Sequence, residues 1–393
     1  MPIRVRLPQE NREVVLEADS MTVSELLGEL KLNESEATVI LNGFPVKNPR
    51  TVINVNDRVE VIKHSPRGRC SICGREAYAR IPYAKLTLCR EHFIEFIAKR
   101  VRRTIEEYRL VRRGDLVLVA VSGGKDSSTM LHVLSTLRDS LKFEIVAYHI
   151  DQGIPGYSDK ARLAVEELAR RLNVPLIVST FREMLGVDQP ALIKGMKSRR
   201  PPCSVCGIVR RYSYNALAIE LKASSIATGH HADDVASYAL KAILTHDYQS
   251  LAKLTPRTEP FEGAVAHIRP LYEVYERETL LYAIASEIPF TACPCPFRPR
   301  NTLDDHIKEL LNNLEARHPG IKLSFLRGLA REAKALGKVI EEGAEAHTCK
   351  VCGLASSGDL CSFCKFTQHE LGSAMGPHVR EILRVKVSGL GLK

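Results

Sequence analysis

Residues 115–131 read DLVLVAVSGGKDSSTML. The run Leu116–Val121 is apolar without alternation, as a strand reads when both of its faces are covered in a parallel sheet. Ser122-Gly123-Gly124 breaks that run, and a helix is expected from Lys125 onward. A strand, a glycine loop and a helix in that order bring a helix N-terminus, with its free N–H groups, up to an anion. The two glycines let the backbone approach a ligand closely, and Lys125 adds a point charge. The G-x-x-x-x-G-K-[ST] spacing is absent, so this is a phosphate loop of another kind.

The same strand pattern recurs outward, in FEIVAYHID (143–151), VPLIVST (174–180) and SSIATG (224–229), with helical segments between. The expected fold class is α/β, with a doubly wound parallel sheet over residues 114–300. Ligands bind at the C-terminal ends of such strands, which places Asp151 near a nucleotide. The stretch ATGHHADDVA (227–236) ends a later strand. There Gly229 permits close approach, and Asp233 and Asp234 offer carboxylates that suit Mg2+ between phosphates. Helix capping is the competing use of an aspartate at this position.

Two modules with metal-ligand spacing flank this core. Cys70-x2-Cys73 is followed after fifteen residues by Cys89-x2-His92, a closed set of three sulfurs and one nitrogen over residues 65–113. Cys349-x2-Cys352-x8-Cys361-x2-Cys364 gives four thiolates in a C-terminal zinc finger and tail, 346–393. EFIAKRVRRTIEEYRLVRRG reads as a helix with seven Lys or Arg between Lys99 and Arg113. It suits either a solvated face or an RNA backbone contact. Residues 301–345 read as a helical segment, and no internal repeat or low-complexity tract is evident. Residues 1–64 give strand, strand, helix, strand, strand, with a turn at Asn42-Gly43.

The whole chain has 393 residues, 45% hydrophobic and 26% charged, enough for two to four domains with real cores. No run approaches the roughly 20 apolar residues that span a bilayer. The opening MPIRVRLPQENREVV lacks the apolar region of a secretion signal, so a cytoplasmic location without a membrane partner is expected. Eleven cysteines in that setting point to metal or catalysis rather than disulfides. The net charge of +10 fits a polyanionic partner, with nucleic acid first.

The metal patterns consume seven cysteines and leave Cys203, Cys206, Cys293 and Cys295. The first pair lies in SRRPPCSVCGIVRRY (198–212), among Arg199, Arg200, Arg210 and Arg211, which suit an RNA base with its flanking phosphates. The second pair lies in a Pro-broken loop. The four could close a third zinc site. The first pair could instead act as a persulfide with a disulfide partner. An inert buried pair fits poorly, because flanking arginines lower thiol pKa.

The loop S-G-G-K-D-S resembles the PP-loop of the ATP pyrophosphatase superfamily. That resemblance implies that Ser122, Gly123, Gly124, Lys125, Asp126 and Ser127 hold ATP, which is split to AMP and pyrophosphate. It also raises the functional weight of Asp234, through the family's G-H-x-x-D-D motif. Paired zinc modules, a PP-loop, C-S-V-C-G inside the α/β domain and a late C-P-F cysteine together resemble the tRNA 2-thiouridine synthetases, over roughly residues 65–370. The resemblance implies a [4Fe–4S] cluster on Cys203, Cys206 and Cys295 with one open iron, Mg2+ placed by Asp126 or Asp234, two Zn2+, and tRNA as substrate. It further implies a ubiquitin-like sulfur-carrier protein or inorganic sulfide as sulfur source, and a homodimer. Arg210 stands where many relatives carry lysine; it keeps the charge but donates no proton easily, so it reads as a charge stabiliser. Residues 1–64 resemble the β-grasp of ubiquitin-like sulfur carriers. The chain runs on through SPRGRC without a free Gly-Gly, which implies a docking or structural module rather than a working carrier. Rival readings are a 2-thiocytidine synthetase, a lysidine-type PP-loop enzyme that needs no cluster, and a zinc-ribbon RNA-binding scaffold.

Overall fold

The computed structural model describes residues 2–7, 12–34, 36–46, 48–64, 66, 68–299, 301–340 and 347–390, with the backbone course alone for 333–340. Its centre is a six-stranded sheet in the order Leu176–Thr180, Glu144–Asp151, Leu116–Ala120, Ser225–Ala227, Ala266–Ile268 and Arg257–Thr258. All neighbours are parallel except the last pair. Leu118 sits opposite Val146 on one side and Ile226 on the other. The chain first builds outward from Leu116–Ala120 in one direction, then crosses to Ser225–Ala227 on its other side. The order therefore reverses beside that central strand, and its C-terminal end opens a crevice for a ligand.

The unbroken apolar run of the central strand has its physical reason in two cores. Val117 and Val119 pack with Phe93, Ile97, Val101, Met130, Leu134 and Leu281 on one face. Leu118 and Ala120 pack with Tyr148, Val209, Leu217, Phe363 and Leu383 on the other. Each fully buried Val or Leu contributes about 1.5–3 kcal/mol, so a polar residue anywhere in this strand is unfavourable. The first face carries the helix Arg90–Glu107 with the N-terminal cysteine module. The second carries the helix Pro202–Glu220 with the C-terminal one.

The N-terminal unit is a sheet in the order Arg12–Leu16, Ile3–Leu7, Val59–Lys63, Ala37–Leu41 and Phe44–Pro45. Its first and last long strands are parallel neighbours, with Val5 opposite Val59. The helix Val23–Glu29 begins at a reciprocal cap between Thr22 and Glu25 and buries Val23, Leu26 and Leu27. Asn42 and Gly43 both take positive φ, +52° and +89°, as a tight hairpin turn of this hand requires.

Two sequence expectations change. The basic helix ends at Glu107 rather than Arg113; Arg109 turns left-handed at φ +51° and Leu110 is buried in the sheet's core. Along it Lys99, Arg102 and Arg103 pair with Glu95, Glu106 and Glu107 one turn away, which makes that stretch largely a self-compensated solvated face. The C-terminal tail contains a second helix, Gly376–Ser388, which buries Val379 and Leu383 and ties Arg380 and Arg384 to Glu220. The expected boundary at residues 345/346 lies outside the described residues. No helix among the described residues is long and apolar enough to cross a membrane.

Candidate active site

The phosphate loop starts where the central strand ends. Gly124 caps the helix Lys125–Leu141, and Gly123 adopts φ +84°. A Cβ on Gly123 would fall 2.6 Å from the Ala161 carbonyl oxygen, so the position demands glycine for packing as well as conformation. Ser127 Oγ accepts from the Ser122 N–H at 3.0 Å and lies 2.9 Å from Ser122 Oγ, which closes the loop on itself. Gly229 permits a close approach of a different kind from the one expected. A Cβ there would sit 2.9 Å from Ser127 N, so its contact is with the start of the loop helix. Asp151 ends its strand and accepts from Gly153 N at 2.8 Å, holding the following turn.

Around the loop stands a charged cluster that joins distant parts of the chain. Lys125 Nζ contacts Asp126 at 2.9 Å and Glu276 at 3.1 Å. Lys308 Nζ contacts Asp234 at 2.7 Å and Glu276 at 3.1 Å. His231 Nε2 lies 3.4 Å from Asp234 and 3.8 Å from Asp126. Burial alone would lower both lysines, but these carboxylates outweigh it and hold both ammonium groups above their ordinary pKa. Burial likewise opposes ionisation of Glu276, yet Lys125, His231 and Lys308 hold it well below the usual carboxylate range. Glu276 thus bridges two cations beside the glycine loop.

Asp233 and Asp234 do not act as a pair. Asp233 is buried, accepts from Glu276 N at 2.6 Å and binds the Lys322 ammonium, so it fixes the start of the helix Glu276–Ala285. Asp234 faces Lys308 and His231. The carboxylates grouped beside the glycine loop are therefore Asp126, Asp234 and Glu276. Glu276, Lys308 and His231 are the members of this cluster that sequence reasoning missed. Only His231 left a signal, as part of G-H-H-A-D-D.

Cys203 and Cys206 lie on the first turn of the helix Pro202–Glu220, three residues apart and hence on one side. Pro202 at the first helical position presets that start. Cys295 lies on the loop after Glu276–Ala285, close enough to Cys203 and Cys206 that a thiolate there would raise both. Cys203 Sγ is 3.7 Å from the Phe297 carbonyl oxygen on the same loop. That loop also meets the phosphate loop directly, since Thr291 N donates to Gly123 O at 2.9 Å. Cys293 Sγ instead donates to Asn42 O of the N-terminal unit at 2.9 Å.

The arginines are divided. Arg210, one turn beyond Cys206, donates to Tyr214 Oη at 2.9 Å and lowers Cys206. Arg200 and Arg211 line a separate cleft of about 1290 Å³ with Lys365 against the C-terminal module, and Arg199 is exposed. Contrary to the sequence expectation, both thiols are raised. Burial pushes Cys206 up more than Arg210 pulls it down, and for Cys203 burial outweighs Arg298.

Among the described residues, two sets bring three or more ligand atoms within 4.8 Å of one another: Cys70, Cys73, Cys89 with His92, and Cys349, Cys352, Cys361 with Cys364. Cys73 and Cys89 sulfurs are 3.8 Å apart, and Cys352 and Cys361 sulfurs 3.7 Å. A tetrahedral zinc with 2.3 Å bonds to sulfur needs about 3.8 Å between ligands, so both sets fit one ion. Cys203, Cys206, Cys293 and Cys295 do not converge in this way, which removes the closed third zinc site. Each module also braces an element of the site. Tyr78 and Arg90 bind the Leu281 and Ala285 carbonyls ahead of the Cys295 loop. Tyr212 stacks on Phe363 with ring centroids 3.9 Å apart and donates to Gly376 O, fixing the helix of Cys203 and Cys206. Cys70→Ser or Cys361→Ser is therefore expected to lower the melting temperature and tRNA affinity while adenylylation per bound tRNA is kept. Normal tRNA binding with specific loss of adenylylation would show that these sets do more than hold structure.

A family model described as a PP-loop domain matches residues 95–295. A second, described as the N-terminal LIM domain of the 2-thiouridine synthetase TtuA, matches 69–94. The tRNA-5-methyluridine(54) 2-sulfurtransferase of Pyrococcus horikoshii is 41% identical over 299 residues, 76% of this chain and 93% of that one. The tRNA 2-thiolation protein NcsA of Haloferax volcanii is 31% identical over 321 residues, 76% and 98% of the two chains. Among solved structures, the U34-tRNA thiolase NcsA from Methanococcus maripaludis with its [4Fe-4S] cluster superposes with a TM-score of 0.65 at 27% identity, covering 76% of this chain and 95% of that one. With a PP-loop model over half of its length and a relative 41% identical across most of both chains, the chain belongs to the PP-loop family of tRNA 2-thiouridine synthetases.

Proposed function

We propose that this protein is an ATP-dependent tRNA-uridine 2-sulfurtransferase. The observation that carries the reading is the hydrogen bond from Thr291 N to Gly123 O, 2.9 Å, which ties the Cys295 loop to the phosphate loop. Nucleotide activation and sulfur chemistry then share one crevice. The uracil O2 attacks the α-phosphorus of ATP, and pyrophosphate leaves. Sulfide adds at C2, and AMP departs with the former carbonyl oxygen. Without activation that oxygen is a very poor leaving group.

Residues 122–127 cradle the departing pyrophosphate through backbone N–H groups and Lys125. Asp126 and Asp234 are the carboxylates for Mg2+, and the two compact cysteine-rich modules hold Zn2+. Arg210 stabilises negative charge next to Cys206. Cys203, Cys206 and Cys295 are the ligands for a [4Fe–4S] cluster, which when bound supplies an iron with an open position for sulfur. Identity of 41% to a position-54 enzyme, against 31% to the tRNA 2-thiolation protein NcsA, favours a 5-methyluridine at position 54 as the base. Anaerobic incubation with ATP, tRNA and sulfide is expected to yield AMP, pyrophosphate and 2-thiolated nucleoside in equal amounts. ADP and phosphate as products would refute the assignment.

Lys308 belongs to the same machinery. It joins Glu276 and Asp234 at the mouth of the loop, within reach of a polyphosphate that displaces those carboxylates. A hydrogen bond to a charged group contributes about 1.5–3 kcal/mol, so Lys308→Met is expected to lower pyrophosphate release by about 10–100-fold. Unchanged release would make Lys308 a structural ion-pair partner only.

A further inference from the structure

Residues 1–64 lie outside both family matches, the earlier of which begins at residue 69, so family membership gives this unit no task. Its Asn42-Gly43 turn reaches the cysteine loop. Within its own unit Asn42 is held three times: its N–H donates to Arg58 O at 2.8 Å, its Oδ1 accepts from Arg58 N at 3.0 Å, and its Nδ2 donates to Asp57 Oδ1 at 2.7 Å. Across the interface Cys293 Sγ donates to Asn42 O at 2.9 Å, and Ala292 N donates to Gly43 O at 2.6 Å. A Cβ on Gly43 would stand 2.3 Å from Cys293 Sγ and 2.6 Å from Cys293 N. The Lys160 ammonium covers the Phe44 ring at 5.4 Å, adding a second point of attachment.

The segment Thr291-Ala292-Cys293 is therefore bound on both sides, by the N-terminal turn and by Gly123 of the phosphate loop. Cys295 follows two residues on. The stretch 291–296 has no regular secondary structure, and Pro294 and Pro296 have no N–H to donate, so few main-chain hydrogen bonds of its own hold it in place. Ordering such a loop in advance removes an entropic penalty from whatever binds its cysteine.

We propose that the N-terminal unit is a built-in brace, in which the Asn42-Gly43 turn and Cys293 form a positioning contact that sets Cys295 beside Cys203 and Cys206. The proposal rests on the reading of Cys295 as a cluster ligand. It gives Cys293 a use outside the metal set, as one of two hydrogen-bond donors from the loop to the N-terminal turn.

Gly43→Ala in the full chain tests it, read by hydrogen exchange of residues 291–298 in metal-free protein and by iron content after anaerobic reconstitution. The brace predicts at least tenfold faster exchange of that segment and iron loading below half of the parent. Exchange of the strands Ile3–Leu7 and Val59–Lys63 is followed in the same sample and should stay at the parental rate, since these strands lie away from the Gly43–Cys293 contact. Exchange and iron at parental levels in Gly43→Ala overturn the proposal. So does faster exchange of Ile3–Leu7 and Val59–Lys63 alongside that segment, because the substitution then acts by damaging the N-terminal unit itself. If the parent protein binds no iron, the ligand reading falls, while the exchange comparison still decides the brace.

Discussion

Cys203→Ala, Cys206→Ala and Cys295→Ala are each expected to lose the iron–sulfur cluster and all thiolation, yet to keep releasing pyrophosphate from ATP in the presence of tRNA. The expectation follows from two separate constellations. The three sulfurs come from the first turn of Pro202–Glu220 and from the loop after Glu276–Ala285. The phosphates are met by the glycine loop and Lys125, none of which touches a sulfur. Removing one of three thiolates from a site with no spare ligand leaves two, too few to hold a cube of metal and sulfide. Cys293→Ala is expected to be mild, because it removes one S–H donor to Asn42 O and leaves the Ala292 to Gly43 bond in place. A persulfide relay orders the variants differently. One cysteine of the pair would be essential, the other partly dispensable, and activity would not follow iron. Iron content and thiolated-nucleoside yield across the four variants separate the two mechanisms.

Lys125→Ala is expected to reduce pyrophosphate release by about 10²–10³-fold, the usual cost of removing one preorganised donor from a developing charge. Lys125 is four-fifths buried and paired with Asp126 and Glu276, so it is more than an exposed phosphate hook. Its loss leaves Glu276 next to Lys308 and His231, which limits the charge left uncompensated. Folding and both cysteine modules should therefore survive, with iron loading unchanged. A variant that cleaves ATP at the normal rate would remove the phosphate-loop assignment. Loss of iron together with ATP cleavage would mean that the Gly123–Thr291 contact couples the two sites more tightly than separate constellations allow.

What was legible in the sequence was contiguous. The strand, glycine loop and helix of 115–141 lie within one stretch, and each close Cys-x2-Cys pair reports its own turn. The central strand announced its burial because apolar residues fill both of its faces. Ala266–Ile268, only three residues long and followed by Arg269 and Pro270, carried no comparable pattern. The helix Gly376–Ser388 did leave a signal, with Pro377 near its start and Val379 and Leu383 four residues apart, but the second cysteine module obscured it. Glu276, Lys308 and Lys322 were illegible for a different reason. They are single charged residues, 42, 74 and 88 positions beyond Asp234, and only the fold brings them together. The thiol environment of Cys206 was misjudged because its flanking arginines are adjacent in sequence and mostly face elsewhere. Burial, which sequence spacing does not report, decides the sign there.

The most direct test of the account is to purify the protein without oxygen and measure iron, acid-labile sulfide, zinc and the visible spectrum on one sample, then assay that sample for tRNA thiolation. The account predicts about four iron and four sulfide per chain with a broad absorbance at the blue end of the visible. It also predicts about two zinc, and thiolation that rises and falls with iron. Zinc alone, with full thiolation in a sample free of iron, would contradict it.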